Sequence, residues 1–146
     1  MSSKLHHIAL YVLDMDRSLH LFQDLLGFRL QWRLPSVGGR KLSALLGIPK
    51  IEAEMAYLQN QDSPVALELV RLIHPSSEPA PESYTQPGRV LISLQVRDLD
   101  GLCKRLEKEG WKPFTPGIEM STPQGTPARL CCFRTEEGIT IELIEE

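Results

Sequence analysis

Two stretches of the sequence share one pattern: HHIALYVLDMDRSLHLFQDLLGF at residues 6–28 and VLISLQVRDLDGLCKRLEKEGW at residues 90–111. In each, an alternating apolar run is followed by an acidic turn, a run with helical spacing and a glycine. Asp14 of the first stretch aligns with Asp98 of the second. Because an internal repeat constrains architecture more strongly than local propensity does, we expect two copies of one folding unit.

Each copy begins as a strand followed by a helix. The alternation places Ile8 and Leu10 on one face of the first strand and His7 on the other, while His6 faces away from His7. Asp14 and Asp98 are the residues that we expect to cap the two helices. The apolar positions at helical spacing are Leu19, Phe22, Leu25 and Leu26 in the first helix and Leu99, Cys103 and Leu106 in the second, and Gly27 and Gly110 follow them.

Further strand-like runs follow each helix. They are FRLQWRL (28–34), EMAYLQ (54–59) and ALELVRL (66–72) in the first half, and WKPF (111–114), ARLCCFRT (128–135) and ITIELIEE (139–146) in the second. We therefore predict an α+β fold in which two βαβββ modules form a curved mixed sheet within a single domain, 1–146. Module 1 spans about 4–75, a Pro- and Ser-rich linker spans 76–88, and module 2 spans about 89–146.

Two irregular segments interrupt this pattern, at residues 35–50 and 117–127. The first contains a short amphipathic run that is either a helix or a lid over a pocket. We expect loops of this kind to form the pocket walls, and Arg33, Arg40 and Arg129 are candidates for holding an anionic substrate group.

Composition narrows the class of protein. The chain has 146 residues, 42% of them hydrophobic, and no apolar run reaches the length of about 18 residues that a membrane span requires. The N-terminus lacks the pattern of a secretory signal, which predicts a cytoplasmic protein. The formal net charge of -3, without a basic stripe, argues against nucleic acid as a partner, so we expect a small-molecule ligand.

Cysteines and aromatic residues suggest no special chemistry. Cys103, Cys131 and Cys132 are read as reduced thiols, and the last two, in a strand, should face opposite ways and serve packing. The aromatic side chains are spread over several strands and predict no stacking cage for a flat ligand. Those considered are Trp32, Tyr57, Trp111 and Phe133.

Two strands place a carboxylate within an apolar run, Glu68 in ALELV and Glu142 in TIELI. An ionised carboxylate in such a setting needs exposure, a partner or a metal ion. If the leucines and isoleucine that flank them form the buried face, both glutamates point to the opposite face, which His7 can share. An imidazole and two carboxylates suit Zn, Mn, Fe, Co or Ni. The ordinary alternatives are a solvent-facing glutamate and a hydrogen-bonded histidine.

The chain resembles the vicinal oxygen chelate superfamily, which includes glyoxalases, bleomycin-resistance proteins and dioxygenases. The resemblance is carried by LHHIALYVLDMDRSLHLFQDLLGF, ALELV, LQVRDLDGL and EGITIELIE and extends from about Leu5 to Glu146. In metal-dependent members the ligands come from the first and fourth strands of each module. Carried over residue by residue, the resemblance implies His7, Glu68 and Glu142 as ligands of a divalent metal ion, and places Leu91, which cannot bind a cation, at the fourth position.

The same resemblance implies two functions, of which the presence of His7, Glu68 and Glu142 at ligand positions favours the first. One is a metal-dependent lyase, isomerase or oxygenase acting on a substrate with vicinal oxygens, with Glu142 or Glu68 as the catalytic base. The other is a metal-free protein that sequesters a ligand, as bleomycin-resistance proteins do. Relatives commonly pair, so we also expect a homodimer.

Overall fold

The computed structural model describes residues 1–78 and 85–146, so residues 79–84 of the predicted linker lie outside the described part of the chain. The described residues form two compact units, residues 1–78 and residues 85–146. In neither described stretch is a helix both long enough and apolar enough to span a membrane.

The first unit contains four strands, two α-helices and a π-helix. In chain order these are β1 (His7–Tyr11), α1 (Met15–Leu19), which continues as a π-helix (His20–Leu25), β2 (Arg29–Gly38), α2 (Arg40–Leu46), β3 (Glu52–Gln59) and β4 (Ala66–His74). The strands form one mixed sheet in the order β1-β4-β3-β2. β1 is parallel to β4, and the other neighbours are antiparallel.

The second unit repeats this arrangement with one α-helix. Its elements are β5 (Leu91–Gln95), α3 (Leu99–Lys108), β6 (Ile118–Ser121), β7 (Pro127–Arg134) and β8 (Thr140–Glu145). The sheet order is β5-β8-β7-β6, and β5 is parallel to β8. In both sheets the first strand of the copy therefore pairs with the last. The predicted α+β fold with two βαβββ modules is confirmed.

The predicted helix ends are also confirmed. The Asp14 carboxylate accepts a hydrogen bond from the backbone N–H three residues later at 3.0 Å, and Asp98 does the same at 2.9 Å. Each cap satisfies an N–H that the first helical turn leaves without a partner. Gly27 and Gly110 follow the helices with φ of 76° and 92°, values that a residue without Cβ adopts at little cost.

Each sheet has two distinct faces. Alternate residues of β4 and β8 are buried, namely Leu67 and Leu69 in the first sheet and Ile141 and Leu143 in the second. We call this side the helix face. Glu68 and Glu142 are half-buried and belong to the opposite side, the open face, as the alternation predicts.

Several local expectations were wrong. WKPF is not a strand, because Pro113 has no N–H to donate to the hydrogen-bond ladder of a sheet. Within this run, Phe114 bonds to β7 by donating its N–H to the Cys132 carbonyl oxygen at 2.8 Å. The third pairing partner is instead β6, within the segment expected to be a loop. In α3 the buried positions include Leu102, while Cys103 is only half-buried.

The segment 35–50 extends β2 and then forms α2. Leu42 of α2 packs on a buried cluster of Ala53, Met55 and Val70. Met55 pairs with Val70 across β3 and β4, and Val70 has the same parity as Glu68. Within this segment, α2 therefore covers part of the open face of the first sheet.

Candidate functional site

His7 and Glu68 lie on the same face of the first sheet. In the parallel pair of β1 and β4, His7 is opposite Ala66 and Ala9 is opposite Glu68. Directly paired residues point to the same side, and so do residues two apart along a strand. His7 and Glu68 are therefore diagonal neighbours on the open face, one row apart.

Two aromatic side chains extend this surface. Tyr57 of β3 is directly opposite Glu68, and Trp32 of β2 is directly opposite Tyr57. The Trp32 and Tyr57 rings are stacked, with centroids 5.3 Å apart and an interplanar angle of 12°. The His7 ring meets Tyr57 edge-on at 5.9 Å. The expectation of scattered aromatic residues was thus wrong for this pair, whereas Trp111 and Phe133 are buried.

The contacts of His7 leave one ring nitrogen available. Its Nδ1 lies 2.8 Å from Nδ1 of His6, so one of the two nitrogens donates and the other accepts. The expected opposite orientation of His6 was wrong, because His6 precedes β1 and its ring turns against His7, with centroids 5.1 Å apart. Among the described residues, neither Nε2 of His7 nor the Glu68 carboxylate has a hydrogen-bond or ion-pair partner.

Glu142 has the equivalent place in the second sheet. It is opposite Ser93 of β5 and Cys132 of β7, as Glu68 is opposite Ala9 and Tyr57. The Ser93 hydroxyl donates a hydrogen bond to Oε1 of Glu142 at 2.7 Å. This bond fixes one carboxylate oxygen and leaves Oε2 without a partner among the described residues.

Leu91 occupies the register position that corresponds to His7. It is opposite Thr140, two residues before Glu142, just as His7 is opposite Ala66, two residues before Glu68. Leu91 is exposed, and its aliphatic side chain supplies no donor atom. The duplicated position therefore carries an imidazole in one copy and an apolar group in the other.

A thiol and a guanidinium complete the open face of the second sheet. Burial, followed by the negative charge of Glu142, raises the pKa of Cys132, while Arg134 acts in the opposite direction. The Arg134 guanidinium lies 4.7 Å from the centroid of the Phe114 ring, within cation–π range. This face thus presents a carboxylate, a thiol whose pKa is raised and a cation close together.

Two of the three arginines considered for substrate binding are engaged in ion pairs. Arg33 contacts Asp16 at 2.8 Å and the buried Glu54 at 2.5 Å. Arg129 contacts Asp100 at 2.8 Å. The third, Arg40, lines a cavity of about 600 Å³ beside α2. Because their charges are already paired with carboxylates, Arg33 and Arg129 are poor candidates for binding an anionic group of a substrate.

Within each unit, the described His, Cys, Asp and Glu side chains form no group of three or more that could hold a metal ion. The ligand set implied by the resemblance draws His7 and Glu68 from the first unit and Glu142 from the second. That set stays a prediction. His7 and Glu68, which both belong to the first unit, share a face of its sheet. Nε2 of His7 and the carboxylate of Glu68 have no partners among the described residues.

Comparisons with known proteins place this geometry in a family. No curated protein matches the sequence. Among solved structures, a glyoxalase family protein from Bacillus cereus is 24% identical, with a TM-score of 0.86 over 100% of this chain and 95% of that one. A glyoxylase/bleomycin resistance protein/dioxygenase domain from Frankia sp. EAN1pec is 21% identical, with a TM-score of 0.70 over 99% and 98%.

Another similar structure is the fosfomycin resistance protein FosX from Listeria monocytogenes, which was solved as a mutant in complex with Mn(II) and 1S,2S-dihydroxypropylphosphonic acid. It is 16% identical, with a TM-score of 0.63 over 99% of this chain and 93% of that one. These likenesses show the fold. The family model for the Glyoxalase/Bleomycin resistance protein/Dioxygenase superfamily matches residues 4–143, and the chain therefore belongs to that superfamily.

Proposed function

We propose that the protein is a metal-dependent enzyme that acts on a small molecule with vicinal oxygens, by lyase, isomerase or oxygenase chemistry. One observation carries the proposal. An imidazole and a carboxylate, His7 and Glu68, share the open face of the first sheet and keep donor atoms free among the described residues, and Glu142 has the equivalent register in the second sheet.

The donor atoms fit a divalent ion of borderline softness. Nε2 of His7 and the carboxylate oxygens of Glu68 and Glu142 would hold it, and this mixed nitrogen and oxygen set suits Mn, Fe, Co, Ni or Zn. The Mn(II) in the Listeria monocytogenes structure makes Mn(II) the first ion to test. When bound, such an ion would polarise the substrate oxygens as a Lewis acid.

Neighbouring residues orient the proposed ligands. The contact with His6 fixes the ring of His7, and a hydrogen bond to the second nitrogen is the usual way in which a metal-binding histidine is held. The Ser93 hydroxyl restrains Glu142 in the same manner. Either Glu142 or Glu68 would then move a substrate proton as general base.

We also propose that the protein works as a homodimer. The support is an edge strand, β6, all four of whose residues are exposed, including the large apolar side chains of Ile118 and Met120. An exposed apolar edge of this kind is a common site of association between chains.

A second candidate is a metal-free protein that sequesters a ligand. The specific observation in its favour is the stacked pair of Trp32 and Tyr57 on the open face, because an exposed aromatic surface binds flat ligands. Trp32 is 38% exposed and so remains accessible. Leu91, in place of a fourth ligand, also favours this reading.

Metal binding by the purified full chain separates the two candidates. Elemental analysis and calorimetric titration with Mn(II), Ni(II) and Zn(II) should give one ion per chain for the wild type. His7→Ala combined with Glu68→Gln should lower the affinity for the metal ion by more than about 100-fold, because two of the three proposed ligands are lost. The matched control, His74→Ala combined with Glu119→Gln, changes the same residue types away from the open-face pair and should bind as the wild type does.

If the wild type and the His7/Glu68 variant bind metal equally, or neither binds it, the enzyme proposal fails as stated. In that case, quenching of tryptophan fluorescence by flat aromatic ligands would favour sequestration.

A further inference from the structure

Two cysteines that are far apart in sequence lie in contact on the helix face of the second sheet. Sγ of Cys103, on α3, is 3.0 Å from Sγ of Cys131, on β7. Cys131 is 3% exposed, whereas Cys103 is half-buried, so one thiol is shielded and the other is accessible to small solutes. Both are free thiols.

The contact between α3 and the sheet is held by charged groups on the same face. The Arg129 guanidinium donates to both carboxylate oxygens of Asp100, at 2.8 and 3.1 Å, and lies 3.3 Å from Glu145. Glu145 in turn accepts the backbone N–H of Leu99 at 3.0 Å. These contacts fix the beginning of the helix on strands β7 and β8, so the position of the two thiols is part of the packed structure.

We propose that Cys103 and Cys131 are an oxidation site, at which hydrogen peroxide converts the two thiols into a reversible disulfide that ties α3 to β7. The sulfur atoms of a disulfide are about 2.05 Å apart, so closure requires an approach of about 1 Å. A half-buried side chain on a helix can supply that movement by rotation about its χ1 bond.

The two thiols have different parts in the reaction. Burial, followed by the hydrogen bond with Cys103, raises the pKa of Cys131 to about 12, so Cys131 keeps its proton. Cys103 is then the nucleophile toward peroxide. Its sulfur attacks one peroxide oxygen, the O–O bond breaks, and the departing hydroxide takes the thiol proton of Cys103, which gives a sulfenic acid on Cys103 and one water.

In the second step, the Cys131 sulfur attacks the sulfenic sulfur and the S–O bond breaks. The departing hydroxide takes the thiol proton and forms the second water, so two thiols and one peroxide give one disulfide and two waters. The two sulfurs supply the two electrons that reduce the peroxide. Excess dithiothreitol reverses the change by thiol–disulfide exchange.

Cys132 provides a matched control because it follows Cys131 directly but belongs to the other face. It pairs with Glu142 on the open face, whereas Cys131 pairs with Leu143. Within the part of the chain that the structure describes, the same strand thus presents one thiol with a sulfur partner and one without.

The experiment uses the full-length chain. After treatment with hydrogen peroxide, the protein is denatured, its remaining thiols are alkylated and its mass is measured. We expect one alkylated thiol instead of three, and a loss of about 2 Da from the two hydrogens removed. Trypsin should release DLDGLCK (98–104) and LCCFR (130–134) as one linked species.

Because LCCFR contains two cysteines, the linkage is assigned in the Cys132→Ser variant. That variant should still give the linked peptides and no alkylated thiol, whereas Cys103→Ser should give no link between these peptides. Three alkylated thiols after oxidation of the wild type, or a link that disappears in Cys132→Ser, would overturn the proposal.

Thermal unfolding is a second test of the disulfide, and it needs no variant. A bridge across 28 residues should raise the melting temperature of the wild type by about 5–10 °C, and dithiothreitol should reverse the rise. A melting temperature that oxidation leaves unchanged would also contradict a disulfide compatible with the native packing.

Discussion

Glu54 is the buried centre of an ion-pair cluster on the helix face of the first sheet, and its replacement by glutamine is a quantitative test of that packing. Glu54 is 5% exposed. One carboxylate oxygen accepts from Nε of Arg33 at 2.7 Å and from Nη2 at 2.5 Å, and the other accepts from Nε of Arg71 at 2.9 Å. The hydrogen bond to Glu54 is the largest cause of the raised pKa of Arg33.

Glu54→Gln keeps the shape of the side chain but removes its charge and turns an amide NH₂ toward a guanidinium. Loss of charge-assisted hydrogen bonds in a buried setting costs about 3 kcal/mol. Arg33 and Arg71 are each 36% exposed, so water recovers part of this loss, and we expect a net decrease of about 2 kcal/mol. For a chain of this size, that decrease lowers the melting temperature by about 7 °C.

Urea denaturation followed by circular dichroism measures the free energy of unfolding, and calorimetry gives the melting temperature. Glu52→Gln is the matched control: it lies on the same strand, is exposed, and accepts one hydrogen bond from Ser36 at 2.9 Å. Its cost should stay below about 0.5 kcal/mol. If Glu54→Gln costs no more than this control, the cluster does not stabilise the fold as argued.

Two other predictions concern the open faces. The chain has two tryptophans, of which Trp32 is 38% exposed and Trp111 is 2% exposed. Acrylamide should therefore quench only part of the tryptophan fluorescence, and Trp32→Phe should remove the quenchable part. Full quenching of the fluorescence of that variant would contradict the burial of Trp111. Burial and the charge of Glu142 raise the pKa of Cys132, so the rate at which this thiol is alkylated should rise at a higher pH than the rate for a free cysteine. The rate is measured by mass spectrometry, in which fragmentation of the peptide assigns the alkylated residue. Glu142→Gln removes a negative charge and should shift that rise to lower pH, whereas an unchanged profile would refute the coupling.

The local pattern of the sequence predicted the duplicated fold. The period-two alternation in ALELV and TIELI placed Glu68 and Glu142 opposite the buried leucines, and both are found on the open faces. Asp14 and Asp98 were recognisable as caps, since capping depends on residues only three positions apart. WKPF failed as a strand because strand formation also needs a partner and a donor at each position, and Pro113 lacks the donor.

The sequence by itself therefore determined the two modules and the face on which His7, Glu68 and Glu142 each lie, because those properties follow from short-range periodicity. Only the tertiary structure decided which distant side chains touch. The stacking of Trp32 on Tyr57 depends on a register shift between Leu30 and Trp32 in β2, and the contact of Cys103 with Cys131 depends on how α3 packs on β7. Contacts of this kind are set by strand register and helix packing, which no local pattern of residues encodes.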